Sequence, residues 1–114
     1  MSIEKGAQFD DVTYSHEFWE RESRGSKLQG LAVQADHPKY GRIGEMALSM
    51  FPDEQGRREV RDVGALLKGH GVGTGMWRYA QEAGLNPKHS AERTDEGDRW
   101  ARHVGGELPP RKPV

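Results

Sequence analysis

The sequence predicts an α+β domain, with a mostly antiparallel central sheet followed by C-terminal helices. Three observations carry that expectation. Strand-like apolar runs crowd the chain before residue 67. A dense glycine cluster, Lys68 to Gly75 (KGHGVGTG), interrupts it. Beyond the cluster, apolar residues recur at helical spacing.

The first 25 residues are the least legible. AQFDDVTYS carries Phe9, Val12 and Tyr14 and suits a first strand. SHEFWERESRG, with Phe18 and Trp19, suits either a short helix capped by Ser15 or a continuation of that strand. Leu28 to Ala35 (LQGLAVQA) reads as a strand. His37 to Gly41 has turn chemistry, and RIGEMALSMF then alternates from Met46 onward, as a half-buried strand does. These two strands form an expected hairpin. After the turn Pro52 to Gly56, REVRDVGALL is a further strand. Its apolar positions break a strict period of two, which predicts a bulge.

Val72, Met76, Trp77, Ala80 and Ala83 fall near one face of a helix that Gly84 ends. LNPKHS has room for a short last strand. A second helix starts at Thr94, whose hydroxyl suits the cap, with Asp95 and Glu96 in the first turn and Gly105-Gly106 as the stop. Residues 1–107 are read as a single domain, and 108–114 as a loose Pro-rich tail.

Composition narrows the function classes. The chain has 114 residues, so one core is the default. Charged residues are 31% and mixed in sign, with a net charge of -1, which gives no general pull toward nucleic acid or anionic membranes. There is no cysteine, so disulfides, thiolate metal sites and cysteine nucleophiles are excluded. No apolar run approaches the roughly 20 residues of a spanning helix, and the first residues lack the apolar centre of a signal peptide. The expected setting is the cytoplasm. His16, His37, His89 and His103 show no metal-ligand spacing, so no metal is expected.

Glycines at the mouth of a helix let an anion approach unpaired backbone N–H groups at the positive end of the macrodipole. The triphosphate loop GxxxxGK[ST] is absent. The dinucleotide pattern GxGxxG fails because Thr74 and Met76 occupy its third glycine position. A third frame fits better. Lys68-Gly69-His70-Gly71-Val72-Gly73-Thr74 resembles the [Arg/Gln]-x-x-Gly-x-[Gly/Ala] loop of the GNAT N-acetyltransferases, with Lys at the first position. Val63 stands five residues upstream, as a strand valine does in that family, and Trp100 to Gly106 looks like a relative of its final-helix pattern. The chain is also similar to short acetyltransferase-like proteins of actinobacterial viruses (phage).

The resemblance implies an α/β/α acyl-CoA N-acyltransferase architecture and acetyl-CoA as co-substrate. Backbone N–H groups of His70, Gly71, Val72, Gly73 and Thr74 would hold the pyrophosphate, with Gly69 in the same loop, a point charge from Lys68 and a hydroxyl from Thr74. Val63, Gly64 and Ala65 would pair with the pantetheine amides. Glu59 and Glu45 are candidate bases for an amine acceptor, although each reads first as a solvated strand charge. Ala101 stands where the family often has a tyrosine acid. That departure, with the short N-terminal region, favours an alternative: a non-catalytic binding or scaffold protein with a degenerate acceptor site. The acceptor is left open among small molecules, peptide N-termini, lysine and modified nucleobases. A homodimer through an exposed sheet end is a further expectation.

Overall fold

A computed structural model describes residues 11–65 and 70–112. Five strands and two helices follow in the order β1 (Thr13–Ser23), β2 (Ser26–His37), β3 (Gly41–Leu48), β4 (Arg58–Ala65), α1 (Val72–Glu82), β5 (Pro87–Lys88) and α2 (Asp95–Val104). The strands lie in sequence order across one sheet. The first three pairings are antiparallel, and β5 joins β4 in parallel.

This arrangement corrects the α/β/α, GNAT-like architecture expected from the resemblance. That family's fold carries more helices than the two present among the described residues. The physical reason lies in the first hairpin. SHEFWERES belongs wholly to β1, so the helical alternative for this stretch fails. Arg24 and Gly25, with φ of 52° and 76°, then make a two-residue turn straight into β2. No chain is left between the first two strands for helices. The sheet itself is mixed, with three antiparallel pairings and one parallel.

The other elements lie close to their sequence signals. β4 has the predicted irregularity: Asp62 pairs with Ala47 and Val60 with Leu48, so Arg61 is the extra residue of a bulge. α1 ends in a Schellman motif. Gly84 has φ 76°, its N–H donates to the Gln81 carbonyl, and the Leu85 N–H donates to the Ala80 carbonyl. α2 is capped by Thr94, whose Oγ1 accepts from the Gly97 N–H at 3.1 Å.

The core sits between α1 and one face of the sheet. Leu31, Val33, Met46 and Leu48 meet Met76, Trp77 and Ala80 there. Two glycines let the helix come this close. A Cβ on Gly44 of β3 would lie 2.6 Å from Val72 Cγ1 and 3.2 Å from Met76 Cε. A Cβ on Gly75 of α1 would run into the Tyr14 hydroxyl. The opposite face of the sheet carries Glu17, hydrogen-bonded by Gln34 Nε2 at 2.7 Å, and Glu45.

The turn before β4 is ordered by Asp53. Its Oδ1 accepts from the backbone N–H groups of Gln55 and Arg57, and its Oδ2 pairs with Lys88 Nζ of β5 at 2.6 Å. The Lys88 ammonium, then the Arg57 N–H, hold the Asp53 carboxyl down to about 2. Its contribution is complete above the usual carboxylate range and is lost as pH falls from there toward 2. In Asp53→Asn, the acid limb of a thermal-melt profile should therefore flatten in that window; an unchanged profile would count against the clamp. Gly44→Val should lower stability by about 1–3 kcal/mol through overpacking against Val72, as read by denaturant titration.

Candidate functional site

A cleft of about 740 Å³ lies at the end of β4. It exists because the sheet splits. β5 pairs with β4 only at Arg58 to Pro87 and Glu59 to Lys88, after which the two chains diverge. β4 from Val60 to Ala65 then has β3 on one side and, among the described residues, no strand on the other. That open edge lines the cleft.

The first turn of α1 forms the next wall. Gly71 is its N-cap, in the left-handed region at φ 74°, and no side chain caps it. The turn carries no acidic residue. The N–H groups of Val72, Gly73 and Thr74 precede the first intrahelical bond, which Gly75 donates to Gly71. All three residues line the cleft. α2 is the opposite case: Thr94 caps it, and Asp95, Glu96 and Asp98 compensate its dipole. Of the two helices, α1 is the one whose positive end is left to the cleft.

The outer wall is α2 with the loop before it. Arg93 is buried there, bonded to Asp98 at 3.0 Å and to the carbonyls of Ser90 and Pro109. Hydrogen bonds from Arg102 and Arg93 hold the Asp98 carboxyl below its usual range. The Pro-rich segment closes back on the same loop: Lys112 N–H donates to Ala91, and Arg111 Nε donates to Arg93 O. His89 stacks on Trp77 with ring centroids 4.2 Å apart and contacts the Gly105 carbonyl through Nε2 at 2.7 Å. Burial pushes its imidazole below the ordinary histidine value.

The structure brings Val63, Gly64, Ala65, Gly71, Val72, Gly73 and Thr74 to one cleft. His70 is buried next to it. Lys68 and Gly69 lie outside the described residues. Glu45 stands 55% exposed on the sheet face turned away from α1, beyond contact distance of a strong pair with Arg42 (3.8 Å). Glu59 neighbours Arg61 at 3.5 Å. Neither glutamate lines the cleft; Asp62, Glu92 and Glu96 do. Ala101 is buried in the wall, and no tyrosine is among the lining residues.

In the sequence Trp100 stands out as the start of the final-helix pattern, not as a residue of the site. Its Nε1 is buried without a hydrogen-bond partner, at the cleft wall beside Gly73. A buried donor of this kind costs about 1–3 kcal/mol unless something accepts from it. Helical spacing gives no signal for such an atom, because it depends on where α2 docks. Acidic and basic side chains both line the cleft, so the α1 amides, rather than net charge, are its feature suited to an anion.

No protein family, curated protein or solved structure matches the chain. The site therefore stands on its own geometry. Among the described residues, no group of three or more His, Asp or Glu is placed to hold a metal, and no helix is long and apolar enough to cross a membrane.

The geometry also gives the glycine cluster a second role. A Cβ on Gly73 would lie 2.6 Å from Trp100 Nε1, so this glycine makes room for the indole. Gly73→Ala should cost about 1–3 kcal/mol in denaturant titration. Combining it with Trp100→Leu should cost less than the sum of the single changes, since the two sites share one contact.

Proposed function

We propose that the cleft binds acetyl-CoA and that the chain is an N-acetyltransferase acting on an amine. The observation that carries this reading is the convergence of two unsatisfied backbone surfaces. The uncapped first turn of α1 and the open edge of β4 line the same cleft. The first suits a pyrophosphate, the second an extended chain with amides of its own. Gly71 to Thr74 would donate to the phosphates. Val63 to Ala65 would exchange hydrogen bonds with the pantetheine arm.

Acetyl-CoA would supply the activated acetyl group. An amine must reach it unprotonated, so a carboxylate has to take the proton. Glu59 and Glu45, the candidates from the sequence, do not line the cleft; Asp62, which lines it on β4, would take the proton instead. The acceptor class stays open.

A second reading is a cofactor-binding or scaffold protein without turnover. Two observations favour it. No tyrosine lines the cleft to protonate a leaving thiolate. Gly73 and Gly75 also have packing roles that need no ligand.

Calorimetric titration with acetyl-CoA separates these readings from a ligand-free cleft. Gly71→Val, which puts a branched side chain on the left-handed N-cap that lines the cleft, should weaken binding by more than about tenfold. Release of free thiol in the presence of an amine would mark the enzyme; binding without release would mark the scaffold. A folded protein that takes up no acetyl-CoA would sink both cofactor readings.

A further inference from the structure

We infer that β1 is a self-complementary edge on which a second copy of this chain docks, joining two five-stranded sheets into one. β1 is the outermost strand and is 11 residues long. Among the described residues nothing pairs with its outer side. Edge strands are ordinarily kept from pairing by shortness, proline, bulges or charged side chains. β1 is long, lacks proline and runs against β2 without a register shift, and its charges, Glu17, Glu20, Arg21 and Glu22, are of both signs.

The turn fixes which residues look outward. Ser23 and Ser26 close the two-residue turn, so this pair exchanges its backbone bonds inside the hairpin. Alternation then points the N–H and C=O groups of Tyr14, His16, Phe18, Glu20 and Glu22 away from β2. Phe18 is the midpoint of β1 and is 58% exposed, a large aromatic ring on an edge left unpaired among the described residues.

A two-fold axis at Phe18 satisfies every outward group in an antiparallel pairing with the second copy. Phe18 meets Phe18 of the other copy, His16 meets Glu20, and Tyr14 meets Glu22. On the opposite face Glu17 lies across from Trp19, and Ser15 from Arg21. No like charges stand directly opposite in this register. Moving the axis to Glu17 or to Glu20 sets two carboxylates against each other, which is destabilising. His16 uses Nδ1 on the Tyr79 hydroxyl at 2.7 Å, so Nε2 is the nitrogen left for the neighbouring carboxylate. An isologous contact of this kind closes at two copies and does not propagate.

The test is sedimentation equilibrium on the full chain. The wild type should be a dimer. Phe18→Lys sets two ammonium groups against each other on the axis and should raise the dissociation constant by more than about tenfold, with an unchanged circular dichroism spectrum because Phe18 is exposed. Phe51→Lys, at an exposed phenylalanine outside β1, should leave the dimer intact. The chain has no cysteine, so Phe18→Cys gives a single thiol that a short bis-maleimide should link between copies. A monomeric wild type overturns the inference. So does a dimer that survives Phe18→Lys, or one that Phe51→Lys dissociates.

Discussion

Everything in this fold follows from how closely α1 lies on the sheet. The distance is set by two missing side chains, Gly44 on β3 and Gly75 on the helix. With the helix seated there, Met76 and Ala80 are fully buried over Val33 and Met46. The same seating points the first turn of α1 along the end of β4. A Cβ at either glycine would lift the helix, loosening the core and moving the mouth of the cleft together.

The cleft needs a second condition, a sheet that comes apart in a controlled way. Two residues of parallel pairing tie β5 to β4, and the Asp53–Lys88 bond pins that short contact. The chain then swings outward and is caught by Arg93, which bonds carbonyls from both the loop and the Pro-rich segment. Backbone polar groups along β4 are thereby left facing a concavity, where an extended partner can satisfy them.

The sequence made some of this plain and hid the rest for identifiable reasons. β2, β3, β4 and both helices announce themselves through alternation, caps and glycine stops, and the bulge at Arg61 shows in the broken period of β4. β1 is harder. Its helix-side face carries Glu20 and Glu22 beside Phe18, a mixture that a helix tolerates as well as an edge strand does. The GNAT-like layering failed because loop resemblance carries no information about helices elsewhere, and a two-residue turn removed the space for them. The glycine cluster was legible as a helix mouth, yet its density has packing causes that local sequence cannot reveal. Gly73 answers to Trp100, and Gly75 to Tyr14, each far away in the chain. Trp100 Nε1 belongs to the same class of fact, invisible until α2 is docked.

The aromatic cluster behind the cleft has an optical consequence. Of three tryptophans, Trp77 and Trp100 meet edge to face at 5.7 Å in this wall, and His89 stacks on the first of them. Trp19 lies elsewhere, over Gly30 on the far side of the sheet. Two of the protein's three indoles thus meet at the cleft wall, with Trp100 in its lining. A ligand beside Trp100 would change the surroundings of that pair, which makes near-ultraviolet dichroism and emission natural readouts of occupancy.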